Sequence, residues 1–349
     1  MRLSCQGKRS RFIDGVLRVC LCFDRANLSN DYFTNRQDRY HLISSAEITS
    51  YFANIHKAAC SISYRVTPSS TAPGGFTLDW PSTNAQPAPL ADPDAYRAAA
   101  TALLAPLLKP SAVAPSSSKT NTQIYPLIQL TPLLKPNDTS TELTFISKIL
   151  THLATPAFKN SSWTFTAGYF NMTPLFRNLL LSTSPASATV VAASPWANGF
   201  YGSKGVSGML PAAYTYLGRS FLSAVESADL SSQVQLKEWR RGTVGQDGGW
   251  TYHAKGLWVT LPGEDKMGPS ICVVGSSNYT KRSYGLDLEA NVAVVTRDKG
   301  LMGRLKDEER WLQEYAEVVD KGTFEKVERR VGLHVRIAMW IVGVVGGAL

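Results

Sequence analysis

Apolar and polar positions along the chain follow two periods in turn, which predicts strands alternating with helices. From residue 124 to 319, short apolar runs typical of strands are separated by segments with the 3.6-residue period of an amphipathic helix. The predicted strands cover residues 124–130, 163–167, 188–193, 234–239, 253–261, 271–275 and 288–296. The predicted helices cover residues 142–153, 173–181, 212–227 and 300–319. This alternation predicts an α/β domain built around a central sheet.

The pattern is less regular before residue 124. Residues 27–40 are polar and aromatic and predict a loop, which is followed by a helix from Ser45 to about Lys57. Residues 68–122 are rich in Pro, Ser, Ala and Thr, with one predicted helix at 92–108. Such a composition is typical of a surface insertion or an interdomain connector.

The last residues, 331–349, are apolar apart from His334 and Arg336. The stretch is short for a bilayer span, which needs about 20 apolar residues. Two interpretations remain open. The segment is either a helix in the membrane interface, where neighbouring arginines meet lipid phosphates, or a terminal helix that packs on the core.

Composition narrows the class of protein. With 44% hydrophobic and 18% charged residues over 349 positions, the chain is globular rather than disordered. The net charge of +9 suits an anionic partner: nucleic acid, an acidic membrane or a phosphorylated small molecule. The cations are mostly scattered among acidic residues, so a nucleic-acid partner is not expected. Five cysteines, an odd number without zinc-like spacing, predict neither a disulfide framework nor a metal site.

The most informative chemical signal is H-A-K-G-L-W at residues 253–258, followed by G-S-S-N at residues 275–278. On a strand, His253 and Lys255 share a face, so an imidazole and an ammonium point into one space. The imidazole can attack phosphorus or transfer a proton near neutral pH, while lysine, serine and asparagine hold the phosphoryl oxygens. This predicts metal-free phosphoryl transfer, although an isolated H-x-K also fits an ordinary half-buried strand histidine.

Several segments together carry a family resemblance. They are residues 27–40, 165–171, 198–205, 238–243, 253–258 and 275–291. These segments resemble the mitochondrial-type phosphatidylglycerophosphate synthases of the phospholipase D superfamily. The resemblance runs from about residue 27 to the C-terminus.

The resemblance implies a phospholipase D-like α/β fold of two repeats, each with a central mixed sheet flanked by helices and each giving one H-x-K to a shared site. Residues 1–67 are then the remnant of an incomplete first repeat, 68–122 the insertion or connector, and 123–330 the second repeat with the H-x-K. For the apolar segment 331–349, the membrane-interface and core-packing interpretations both stay open. The implied activity is transfer of a phosphatidyl group from CDP-diacylglycerol to glycerol 3-phosphate, with release of CMP, through a phosphohistidine. The implied location is the mitochondrial inner membrane, and neither a cofactor nor a metal is implied.

Functional residues follow by motif matching. His253 and Lys255 match the second H-x-K, with Ser276 and Asn278 as their oxyanion partners. The candidate substrate-binding residues are Asn27, Lys204, Arg240, Arg241 and Arg282. Each of the cations among them can equally be a solvated surface charge.

One departure from the superfamily concerns the acidic partner of His253. An aspartate usually lies five residues after the lysine, where this chain has Thr260. Glu289 is therefore predicted to orient His253, the alternative being a surface strand carboxylate.

The other departure is the absence of the first H-x-K. Of the five histidines, only His253 has a lysine two positions later. Because the first-repeat histidine is the usual nucleophile, the sequence predicts an acid/base residue without its attacking partner. Three interpretations compete: a truncated or mis-spliced enzyme, a degenerate inactive relative, or a pair of chains that each supply His253. A phospholipase D-like nuclease or phosphodiesterase, and a non-catalytic protein that binds a CDP-lipid, are the alternative functions.

Overall fold

The computed structural model describes residues 20–24, 29–109 and 120–345. The strands are β1 (Cys20–Asp24), β2 (Arg36–Gln37), β3 (Tyr40–Ser44), β4 (Arg65–Pro68), β5 (Phe76–Asp79), β6 (Thr122–Gln129), β7 (Ser162–Ala167), β8 (Ser187–Ala193), β9 (Val234–Trp239), β10 (Thr251–Tyr252), β11 (Lys255–Thr260), β12 (Ile271–Gly275), β13 (Glu289–Thr296) and β14 (Ala316–Val319). The helices are α1 (Asp31–Thr34), α2 (Ala46–Ser61), α3 (Pro93–Leu108), α4 (Glu142–Leu153), α5 (Pro174–Ser182), α6 (Leu210–Ser227), α7 (Lys281–Gly285), α8 (Lys299–Leu312), α9 (Lys321–Glu325) and α10 (Leu333–Val345).

Eight strands form one mixed sheet in the order β14-β9-β8-β7-β11-β12-β13-β6. The neighbours β7, β8 and β9 run parallel, whereas the other adjacent pairs in this sheet are antiparallel. Helix α5 connects β7 to β8 and helix α6 connects β8 to β9, which is the crossover that parallel strands require. The predicted α/β class with a central mixed sheet is confirmed.

Helices cover both faces of this sheet. On one face the apolar sides of α4, α5 and α6 pack against the strands, with Leu150, Leu180 and Phe221 in the core. On the other face α8 contributes Leu305 and Leu312 to a second cluster. Strands buried from both sides need apolar side chains in both directions, which explains their nearly continuous apolar runs.

The predicted bounds of α4, β9 and β12 agree with the structure, but the last predicted helix is wrong at its end. Helix α8 stops at Leu312, and residues 316–319 form β14, which pairs antiparallel with β9. The edge of β9 offers unpaired backbone groups that this segment satisfies, and helical continuation would leave them unpaired. The predicted strand 253–261 is shorter in the structure, where β11 begins at Lys255 and ends at Thr260 and residues 253 and 254 lie between β10 and β11.

The N-terminal part packs on this domain in two places. Strand β2 pairs parallel with β10. Helices α2 and α3 share a core with the end of β6, in which Ile55, Leu104 and Ile128 are buried. The α3 helix begins as predicted, with Asp92 as its N-cap, inside the segment expected to be an insertion. The predicted domain boundaries remain predictions.

The terminal helix α10 lies on the surface and contacts α6. Its Val335 is buried, whereas Leu333, Ile337, Trp340 and Ile341 are exposed. Within the described residues, none of the helices combines the length and the apolar character needed to cross a bilayer.

Candidate active site

The centre of the site is a buried pair formed by His253 and Asp38. Their side chains meet at 2.7 Å between Nδ1 of the imidazole and Oδ2 of the carboxylate. Both side chains are at least nine-tenths buried. A carboxylate that accepts from Nδ1 favours the tautomer of the neutral imidazole with its proton on Nδ1. In this tautomer Nε2 carries the lone pair and can accept a proton or act as a nucleophile.

Main-chain contacts bring these two residues together across the chain. Strand β2 aligns Arg36 with Thr251 and Gln37 with Tyr252, and the amide of His253 donates to the carbonyl of Gln37 at 2.8 Å. On the other side, the end of β7 passes close beneath the histidine. A Cβ at Gly168 would lie 3.0 Å from the Cα of His253 and 2.6 Å from the carbonyl oxygen of Tyr252. Only glycine permits this approach.

Lys255 adds a buried positive charge to the pair. It is 2% exposed, and its Nζ donates to the carbonyl of His253. Burial alone would raise the pKa of Asp38, but the Lys255 ammonium and the hydrogen bond with His253 outweigh burial and hold the pKa of this carboxyl below its ordinary value. Asp38 is therefore ionised at neutral pH, as an orienting carboxylate must be.

Aromatic rings surround the imidazole. Tyr32 and Tyr169 approach it edge-on, with ring centroids 5.5 and 5.6 Å away. Tyr169 in turn contacts Phe200, from the loop between β8 and α6, and stacks on Tyr214. These rings reduce water contact around His253, which strengthens electrostatic interactions there.

The acidic partner of His253 is where the prediction was wrong. Glu289 accepts a hydrogen bond from the hydroxyl of Ser276, whereas the contact with Nδ1 belongs to Asp38. Glu289 is buried at the start of β13, which pairs with β12, the strand that leads into the loop with Ser276. The prediction missed Asp38 because it lies 215 residues from His253.

One signal could have found Asp38. It lies 11 residues after Asn27, and Glu289 lies 11 residues after Asn278. Equal spacing after two similar asparagines marks the two carboxylates as equivalent positions of an internal repeat. Asn27 itself lies outside the described residues.

The loop that carries Ser276 and Asn278 rests on a second buried network. The side-chain oxygen of Asn291 accepts from the amide of Ser277 at 3.2 Å, and its nitrogen donates to Glu142 at 2.5 Å. Glu142 opens α4 and is completely buried. Burial, opposed by hydrogen bonds and reinforced by the nearby Glu289, raises the pKa of Glu142 to about 8.

The predicted substrate-binding cations differ in what their side chains contact. Arg282 forms an ion pair with Asp287 and affects the electrostatics of Tyr214, which links it to the aromatic wall. Arg240 and Arg241 stack on Trp196 and Trp250, and Trp250 directly precedes β10. Lys204 is exposed in the loop before α6. Their roles in binding remain predictions.

A group of potential metal ligands lies near the site but does not fit a metal. The ligand atoms of His41, Cys272 and Glu308 are within 4.8 Å of one another. The guanidinium of Arg39 contacts all three, at 3.5, 3.1 and 2.9 Å respectively. A cation already occupies the position that a metal would take.

Comparisons with known proteins find relatives that are similar to most of this chain. The chain is 42% identical over 327 residues to the CDP-diacylglycerol–glycerol-3-phosphate 3-phosphatidyltransferase of Saccharomyces pastorianus, covering 91% of this chain and 62% of the relative. It is 35% identical over 331 residues to the mitochondrial enzyme of that name from Homo sapiens, covering 89% of this chain and 56% of the relative. The chain therefore spans about three fifths of the length of the curated relatives it matches.

The fold has a match among solved structures. The crystal structure of phosphatidylserine synthase from Haemophilus influenzae aligns with a TM-score of 0.63 and 18% identity, covering 94% of this chain and 67% of the other. No protein-family model matches the chain. Over about nine-tenths of its length, the chain is similar in sequence to proteins named CDP-diacylglycerol–glycerol-3-phosphate 3-phosphatidyltransferase.

Proposed function

We propose that this site takes part in the transfer of a phosphatidyl group from CDP-diacylglycerol to glycerol 3-phosphate, giving phosphatidylglycerophosphate and CMP. The observation that carries the proposal is the buried Asp38–His253 pair beside Lys255, within a stretch that is 42% identical to a protein named for this reaction. A phosphodiester reaction needs a proton carrier next to a cation, and this pair supplies both.

The residues have distinct roles in this proposal. The bond between phosphorus and the CMP oxygen breaks, and the glycerol 3-phosphate hydroxyl loses its proton as it forms the new phosphorus–oxygen bond. His253 carries a proton through Nε2, since Asp38 engages Nδ1. Lys255 neutralises charge on the phosphoryl oxygens. Ser276 and Asn278 lie in the same loop, and the hydroxyl of Ser276 donates a hydrogen bond to Glu289.

A second candidate function is binding of a CDP-lipid without turnover. The observation that favours it is the sequence itself, which contains a single H-x-K. Two-step transfer through a covalent intermediate needs one group to attack and another to move the proton. His253 alone supplies one of these two roles.

The test uses the purified chain with CDP-diacylglycerol in detergent micelles and labelled glycerol 3-phosphate. CMP release that is lost in His253→Gln supports transfer, and release that persists in this variant contradicts it. Without release, saturable binding of CDP-diacylglycerol that weakens in Lys255→Met supports the second candidate. Arg97→Met, an exposed cation remote from the site in sequence and paired with Asp94, is the matched control. Cleavage of DNA would instead favour a nuclease.

The proposed location is mitochondrial, because relatives from Homo sapiens, Bos taurus and Mus musculus carry that word in their names. The proposed membrane contact, at the inner membrane, is the exposed face of α10. Its residues Leu333, Ile337, Trp340 and Ile341 fall on one side of the helix, opposite the buried Val335. An apolar stripe with an amphipathic tryptophan suits a lipid interface.

Sedimentation with vesicles of phosphatidylcholine and phosphatidylglycerol tests this contact. Trp340→Glu should lose most of the vesicle-bound fraction, because a carboxylate is repelled by the anionic surface and disfavoured in the interface. Trp311→Glu is the control, since Trp311 is similarly exposed on a different helix. Equal binding by both variants would contradict a contact through α10.

A further inference from the structure

Arg39 is a completely paired buried guanidinium next to the site. Its side chain is 1% exposed. Nε and Nη2 make a bidentate contact with Glu308 at 3.0 and 2.9 Å. Nη1 donates to the carbonyls of Lys255 and Val273, both at 2.9 Å, and Nη2 also donates to the sulfur of Cys272 at 3.1 Å. All five N–H donors of an arginine are therefore satisfied.

The H-A-K-G-L-W motif builds the socket for this guanidinium. The guanidinium carbon lies 3.8 Å from the ring centroid of Trp258, whose indole nitrogen also donates to Glu308 at 3.2 Å. Gly256 has a φ of +152°, and a Cβ there would lie 2.0 Å from Nη1 of Arg39. Gly256 and Trp258 of the motif therefore accommodate and contact the guanidinium of Arg39, which phosphoryl chemistry alone does not explain.

The socket lies where β11 and β12 separate. Their register pairs residues 257–259 with residues 271–273. At the end of this ladder where Leu257 pairs with Val273, Nη1 binds one carbonyl from each strand, at Lys255 and Val273. Arg39 therefore ties the N-terminal segment to the strand that begins with the catalytic lysine and to the strand that leads into the G-S-S-N loop.

Asp38 is held from both sides. Before it, β2 pairs with β10, and the amide of His253 bonds to Gln37. After it, Arg39 is locked in its socket, and the amide of Arg39 donates to Oδ1 of Asp38 at 3.0 Å. With both neighbours anchored, the carboxylate has little freedom to leave Nδ1 of His253.

We propose that Arg39, through its socket of Gly256, Trp258 and Glu308, is a positioning residue that fixes the Asp38 carboxylate on His253. It sets the tautomer of the imidazole without touching the substrate. The catalytic consequence rests on the proposed function, because it matters only if His253 moves a proton. The positioning itself is a property of the folded chain.

Lysine could not take this role. A single ammonium has three donors and no planar fork, so it cannot bind Glu308 through two bonds and both strand carbonyls together. It also forfeits the stacking on Trp258. Arg39→Lys therefore keeps the charge and removes the geometry.

The experiment is NMR of the full chain labelled with ¹⁵N-histidine, in which the His253 signals are assigned by their loss in His253→Gln. In the wild type, the neutral imidazole should carry its proton on Nδ1. Asp38→Asn should lose this preference. Arg39→Lys and Glu308→Gln should both move the tautomer ratio in the same direction, although both substitutions leave Asp38 and the backbone amide that bonds to it chemically unchanged.

The matched control is Arg329→Lys. Arg329 is 2% exposed at its side chain, forms a bidentate contact with Glu238 and lies over an aromatic ring, so it loses the same kind of interaction at another place. This variant should lose stability without changing His253. If Arg39→Lys does not fold, Glu308→Gln alone decides.

An unchanged tautomer ratio in the variants of Arg39 and Glu308 that fold would overturn the proposal, as would an unchanged ratio in Asp38→Asn. These readings need no turnover. A shifted tautomer in a protein that releases no CMP would therefore refute only the transferase function, and the positioning role would stand. Where CMP release is measurable, Arg39→Lys should lower kcat more than it raises KM.

Discussion

Glu142 provides a test of how the G-S-S-N loop is supported. Its carboxyl is completely buried at the start of α4 and bonds to Asn291, which holds the amide of Ser277. The change is Glu142→Gln, which keeps the shape and an acceptor oxygen for Asn291 but cannot ionise. The expected result is a stability difference from the wild type that grows with pH.

The sign follows from the raised pKa. The ordinary pKa of this carboxyl is 4.5, and burial raises it to about 8 in the folded protein. Below pH 4.5 the carboxyl is protonated in both the folded and unfolded chains, so its contribution to the free energy of unfolding is fully present. As pH rises towards 8, the unfolded chain ionises first, so the free energy of unfolding of the wild type falls.

The size of this loss comes from the same interval. At about 1.4 kcal/mol per pH unit, the interval from 4.5 to about 8 corresponds to about 5 kcal/mol as an upper bound. A typical domain is stable by only about 5 to 15 kcal/mol. Ionisation of this one carboxyl can therefore remove a large part of the free energy of unfolding.

The assay is urea unfolding of the wild type and Glu142→Gln at several values between pH 5 and 9. The free energy of unfolding of Glu142→Gln, relative to that of the wild type, should increase by several kcal/mol from pH 5 to pH 9. Glu226→Gln is the control, since Glu226 is exposed and pairs with Lys321, so its difference from the wild type should stay within about 1 kcal/mol. A constant difference for Glu142→Gln would refute the argument that burial raises this pKa.

Three further changes test the packing around the site. Gly256→Ala should destabilise the protein by about 2 kcal/mol or more in urea unfolding, because its Cβ collides with Arg39 and its φ of +152° disfavours alanine. Arg329→Met should cost about 3 to 5 kcal/mol in the same measurement, because Glu238 is left buried without its partner. Leu150→Ala should cost about 2 to 5 kcal/mol by thermal or urea unfolding, since Leu150 is fully buried between α4 and the sheet.

The local features of the fold could be predicted from the sequence. The 3.6-residue period fixes α4 at residues 142–153, and short apolar runs place β9 and β12. Ser45 and Asp92 begin α2 and α3 as N-caps, each accepting a hydrogen bond from a backbone amide three residues later. These features depend on neighbours within one or two turns, which a sequence pattern records directly.

The pairing of His253 with Lys255 was also local, because the two residues are separated by one position on the chain. The sequence therefore determined the imidazole and the ammonium of the site, and the motifs around them indicated the family. It also placed the G-S-S-N loop at the end of β12. Spacing alone cannot specify which distant carboxylate reaches the imidazole.

Only the tertiary structure decided the partners of these residues. Asp38 reaches His253 because β2 pairs with β10, and Arg39 enters its socket because Gly256 leaves room for it. The end of the predicted final helix became β14 because β9 had a free edge to pair. Each outcome depends on contacts between segments far apart in sequence, where the free energy of pairing and burial outweighs local propensity.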